Sequence, residues 1–111
     1  MRFVKNNFKN DILSDLMDNL QGQGDYQGGT FLTVREPEND PDKQNMTNIQ
    51  LLKNDQVVLT IKLIFDKNNQ LHDYKFLTTL QTAEVDEAIQ IAQSVLEPAW
   101  VQGLTKSFDV Q

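Results

Sequence analysis

Residues 57–65, VVLTIKLIF, limit the fold more than any other stretch: Val57, Leu59, Ile61, Leu63 and Phe65 alternate with Val58, Thr60, Lys62 and Ile64. Successive side chains of an extended strand point to opposite faces, so the first set makes one wholly apolar face and the second a half-apolar one. The first face calls for a full covering layer, which we assign to helices.

The flanking residues are Lys53-Asn54-Asp55-Gln56 and Asp66-Lys67-Asn68-Asn69-Gln70. Their short polar side chains bond their own backbone or tolerate positive φ, so they reverse the chain. This predicts two successive hairpins joining strands at 47–52, 57–65 and 71–80. A further strand is expected at 30–35 (TFLTVR), rich in β-branched and aromatic residues and stopped by Pro37. Between it and the hairpins, EPENDPDKQN has no apolar member and reads as an exposed loop, as does GQGDYQGG at 22–29.

Outside the strands the apolar period changes to the helical one. Ile12, Leu13, Leu16, Met17 and Leu20 recur at helical spacing opposite Asp11, Asp15 and Asp18, with Asn7 or Asn10 as cap and Gly22 as stop. A second helix starts at the cap Thr82, carries Glu84, Asp86 and Glu87 in its first turn, and has the stripe Val85, Ala88, Ile89, Ala92, Val95 and Leu96. Pro98 is expected to stop or kink it.

The order is helix, four strands, helix. We expect an α+β domain spanning residues 1–111: a four-stranded antiparallel meander with both helices on one face, in two layers. Residues 99–111 are too apolar for a loose tail and are read as an arm that docks on the domain or on a second copy. At 111 residues the chain is long enough for one core without staples.

Charge and composition narrow the function classes. Ten basic against 16 acidic side chains give a net charge of −6, with no basic stripe, so nucleic acid is not an expected partner. The last thirty residues hold five acids and one lysine, which directs any charge attraction there toward a basic partner. Zero cysteine removes disulfides, thiolate metal sites and thiol nucleophiles, and fits a reducing compartment; with no apolar signal core in MRFVKNNFKN and no stretch approaching the ~20 apolar residues of a spanning helix, a cytoplasmic location and no membrane segment are expected.

Several motifs suggest chemistry and fall short of it. Pro41-Asp42 with Asp73-Tyr74-Lys75 resembles the PD-(D/E)xK nuclease signature, where two carboxylates bind Mg²⁺ and the lysine assists the water. Here Pro41-Asp42 sits in an acidic loop, an extra strand intervenes, and no basic groove is present. His72, the only histidine, has no nucleophile or orienting carboxylate in its pattern, since adjacent Asp73 points to the other strand face. The carboxylates at 11, 15 and 18 and those at 36–42 read as solvated faces, and Asp66-x-Asn68 fails as a calcium loop because Leu71 replaces its glycine. The glycines at 22–29 follow a helix and precede a strand, the reverse of a phosphate loop. No catalytic residue, cofactor or metal is expected.

The remaining signal is an apolar surplus: Val58, Ile64 and Leu77 on the outer sheet face, with Trp100, Val101, Leu104 and Phe108 in the arm. Apolar patches of this size mark interfaces. The leading expectation is a non-enzymatic domain that works by protein contact, as a homodimer or with another protein. The alternative is a small apolar ligand in a cavity between sheet and helices, lined by Tyr26, His72, Tyr74 and Trp100. A weaker third reading takes Glu84, Asp86, Glu87 and Glu97 as an acidic mimic of nucleic acid that would inhibit a basic partner.

Overall fold

The computed structural model describes residues 8–21, 32–40, 42–43 and 45–109, with side chains to residue 101. Within these lie helix α1 (Lys9–Leu20), strands β1 (Thr33–Val34), β2 (Glu38–Asn39), β3 (Met46–Lys53), β4 (Gln56–Phe65) and β5 (Leu71–Thr78), and helix α2 (Ala83–Asp109). The sheet is antiparallel in the order β1-β3-β4-β5, with β2 pairing on the same side of β3 as β1. The fold is therefore the expected α+β arrangement of helix, meander and helix.

The turns form as their residue types require. Lys53 pairs with Gln56, leaving a two-residue turn in which Asn54 (φ 54°) and Asp55 (φ 68°) both take positive φ. That conformation matches the right-handed strand twist, and Asn and Asp reach it at low steric cost. At the second reversal the Asp66 carboxylate accepts from the backbone amides of Asn68 (2.8 Å) and Gln70 (3.0 Å), while Asn69 takes φ 63°.

The covered sheet face follows from register. Thr47, Ile49 and Leu51 oppose Leu63, Ile61 and Leu59, which in turn oppose Tyr74, Phe76 and Thr78. Leu59, Ile61, Leu63 and Phe65 are buried together with Ile12, Leu16 and Leu20 of α1 and Val85, Ala88, Ala92, Val95, Leu96 and Ala99 of α2. One cluster thus joins both helices to one face, as the alternation in β4 demands. The Thr82 hydroxyl accepts from the Val85 amide at 3.2 Å, capping α2 as expected. For α1 the cap position falls to Phe8, which has no side-chain bond to offer, and Asn10 lies inside the first turn. The start of α1 is held from outside instead: the Lys9 amide donates to the Asn69 carbonyl at 2.8 Å.

Two bulges break the strict alternation. Leu51 pairs with Leu59 but Leu52 pairs with Val57, so Val58 is an extra residue in β4. Val57 then shares the outer face with Leu52, and Val58 enters the core cluster at 4 % exposure. The expectation for this pair is reversed: a bulge adds one residue and flips the side-chain phase before it. In β5, Ile64 pairs with Asp73 and Phe65 with Leu71, so His72 is extra, Leu71 is buried on the helix side and His72 is exposed. His72 therefore does not share a face with Tyr74 and Phe76.

Two further expectations are corrected. The segment read as an exposed loop contains β2, and of the expected strand at 30–35 the described residues hold only Thr33–Val34, an edge interrupted over 35–37, where proline cannot donate to a ladder. Asn39 of β2 makes this worthwhile: its Oδ1 accepts from the Thr47 hydroxyl at 2.9 Å and from Lys9 Nζ at 3.1 Å, tying β2, β3 and α1 together. Pro98 does not end α2. It lies on the exposed side, and the carbonyl it leaves without a helical donor, that of Ser94, belongs to an exposed residue as well, so water can satisfy it.

The bulge gives a reversed mutational pattern. Val58→Asp is expected to destabilise by more than about 3 kcal/mol, since it buries an unpaired carboxylate, and Val57→Asp by under about 1 kcal/mol. Urea unfolding of the two variants checks this, and equal losses or the opposite order would overturn the assigned phase.

Candidate functional site

The residues singled out as an interface or as a pocket divide between the two sides of the sheet. On the helix side, the Trp100 and Tyr74 rings meet edge to face at 6.2 Å, and Tyr74 meets Phe76 in the same way at 5.7 Å. Trp100 follows buried Ala99 on α2, so it packs within the helix layer and does not reach the outer face. Its indole Nε1 donates to the His72 carbonyl at 2.9 Å. A bulged residue has no place in the ladder, and here the helix supplies the missing donor.

Of the residues the ligand reading names, Tyr74 and Trp100 are thus in contact with each other. Burial pushes the Tyr74 phenol above its ordinary pKa, and the carboxylates of Glu97 and Asp73 add to the rise. Tyr26, the fourth residue expected there, lies outside the described residues. An open depression of about 400 Å³ is lined by Phe8, Lys9, Asn10, Asp11, Asn68 and Asn69, and His72, Tyr74 and Trp100 take no part in it.

The outer face is built of three cross-strand rows. Met46, Ile64 and Asp73 form one; Asn48, Lys62 and Lys75 the next; Gln50, Thr60 and Leu77 the third, with Leu52 and Val57 closing the β3–β4 end. Ile64 is half-buried and Leu77 is 49 % exposed, so of the expected outer set these two remain and Val58 leaves. Val101 is 45 % exposed on α2, while the side chains of Leu104 and Phe108 lie outside the described part. On the edge strand, Arg35 Nη1 donates to Gln50 Oε1 at 2.8 Å. Asn48 Oδ1 is buried with no hydrogen-bond partner among the described residues.

The catalytic resemblance does not assemble. Asp42 is exposed beyond β2, where its amide donates to Asp40 Oδ1 at 2.8 Å, and β3 and β4 separate it from Asp73 and Lys75. Among the described residues no group of three or more His, Cys, Asp or Glu side chains is placed to hold a metal. No helix there is long and apolar enough to cross a membrane.

No protein-family model, curated protein or solved structure matches this chain. The functional reading therefore rests on its own surfaces.

Sequence reasoning missed that β5 is the outermost strand on its side among the described residues. Its Asp73 carboxylate folds back to accept from the Tyr74 amide at 2.8 Å. The signal lies in Asp73-Tyr74-Lys75, two opposite charges flanking one residue, which sequence reasoning sets aside together with the nuclease resemblance.

Two measurements probe this region. Trp100→Phe keeps an aromatic ring but loses the bond to the His72 carbonyl, and is expected to cost about 1 kcal/mol in urea unfolding. The raised Tyr74 pKa means that its contribution is intact below the unfolded tyrosine pKa and is lost as pH rises through the folded value. Tyr74→Phe should flatten that alkaline limb of stability, and an unchanged limb would show that another group causes it.

Proposed function

We propose that this domain works by protein contact, without catalysis, and that it associates with itself through the side of the sheet the helices leave open. The observation that carries the reading is the composition of that side. Both helices share one core on the opposite face, while on this one Ile64 beside Met46 and Leu77 beside Thr60 flank a row of Asn48, Lys62 and Lys75, with Val57 at one end and Arg35, Glu38 and Asp73 toward the edges. Apolar side chains set among hydrogen-bonding ones are what a contact surface buries. The neutral amides favour the same use, since an amide costs less to desolvate than a charge and can donate and accept.

The ligand reading is the weaker one because Tyr74 and Trp100 satisfy each other. A ring that enters between them would have to replace the edge-to-face contact and spare the indole bond to His72.

Sedimentation equilibrium from low to high micromolar concentration tests the proposal. The average mass is expected to rise toward two chains, and Ile64→Glu should shift that rise to at least roughly tenfold higher concentration, the equivalent of about 1.4 kcal/mol. A strict single chain over the whole range would overturn the self-association reading.

A further inference from the structure

The two edges of the sheet are treated differently by the sequence. One consists of two-residue strands, β1 and β2, separated by Pro37, so it offers little continuous backbone. The other, among the described residues, is β5, eight residues long, unbroken from Asp73 to Thr78 and without proline, with Phe8 bridging Gln70 just before it. Short strands and proline are the usual devices that keep a sheet edge from pairing. Here they guard only the first edge.

Which groups of β5 face outward follows from its register. The Thr79 amide donates to the Val58 carbonyl at 3.2 Å, continuing the phase in which Leu59 opposes Thr78. Residues alternate between bonding the neighbouring strand and facing away from it, so Asp73, Lys75 and Leu77 address β4 and Tyr74, Phe76 and Thr78 turn their amides and carbonyls outward. The Tyr74 amide agrees, since its bond goes to the Asp73 side chain and not to β4.

We infer that a second copy of this chain pairs along this edge, β5 against β5 in antiparallel register with Tyr74 opposite the partner's Tyr74. This inference rests on the self-association reading and names the surface and register it uses. Two-fold antiparallel pairing that matches outward groups to outward groups can centre on Tyr74, Lys75, Phe76 or Leu77, and centring on Leu77 sets Lys75 against the partner's Thr79 with no opposite charge beside it. Centring on Lys75 sets that lysine against the partner's Lys75. Centring on Phe76 sets Lys75 against the partner's Leu77. Centring on Tyr74 sets Asp73 against the partner's Lys75 and Lys75 against the partner's Asp73, giving two opposite-charge pairs at non-hydrogen-bonded positions, where side chains approach most closely.

The single chain leaves a charge unbalanced in a way this register repairs. Lys62 lies directly opposite Lys75, and among the described residues no ion pair involves either of them. The partner's Asp73 would extend this row with an acid beside Lys75. The partner's Tyr74 carbonyl would take over the Tyr74 amide, which frees the Asp73 carboxylate for that pair.

Charge exchange separates this register from other contacts. Asp73→Lys and Lys75→Asp singly should each raise the dimer dissociation constant about tenfold or more, and the double variant D73K/K75D should restore it. A readout without substitution is backbone hydrogen exchange, in which the Tyr74 amide, moving from the Asp73 side chain to the partner's backbone, should gain protection as protein concentration rises. Self-association that is indifferent to both single variants, with no gain at Tyr74, would overturn the edge pairing and leave the open face as the contact. A strict single chain would overturn both readings.

Discussion

Burial of Leu59, Ile61, Leu63 and Phe65 is the interaction on which the other elements depend. These four side chains lie on β4, which pairs with β3 on one side and β5 on the other, and both helices pack over them. Each such side chain removes apolar surface worth about 1.5–3 kcal/mol from water, and residues of both helices share the cover. Ile12, Leu16 and Leu20 supply the α1 part, and the small residues Ala88, Ala92 and Ala99 let α2 approach closely beside them. The meander follows, because short turns can only place β3 and β5 next to β4.

What the sequence made legible was periodicity, and what it concealed was change of phase. The helical stripes, the two hairpin turns and the Thr82 cap depend on residues close in sequence, where one pattern reports one cause. The bulges at Val58 and His72 depend on pairing between strands. A one-residue insertion in a ladder leaves no mark on composition, yet it exchanges Val57 with Val58 and brings Leu71 inward. For the same reason the expected interface lost Val58 and retained Ile64 and Leu77, which lie between the two bulges, where the phase is unchanged.

The helix that passes Pro98 had a different cause. Proline forbids a helical amide, but the cost depends on whether the carbonyl four residues earlier is wet. Ser94 is exposed, so α2 continues and carries Ala99 and Trp100 onto the helix side of the sheet. A tryptophan read as part of a separate arm on the outer face thus becomes the donor that completes the His72 bulge. Exposure of a residue one helical turn away decided where an aromatic side chain went, and that cannot be counted from spacing alone.

The same bond sets the frame of the β5 edge. Because Trp100 accepts His72 as the extra residue, Leu71 can face Phe65 while Tyr74 and Phe76 still face the helices and Asp73 and Lys75 the open side. Without the bulge, Leu71 would share the open face with Asp73, Lys75 and Leu77, and the core would lose a residue at its end. Strands that hold their phase by a bond from another layer resist slippage, since a one-residue shift would break that bond along with the packing. A fixed phase is what lets two charges two residues apart act as a pattern, because an edge free to slip would present Asp73 and Lys75 to a neighbour in several registers and favour none.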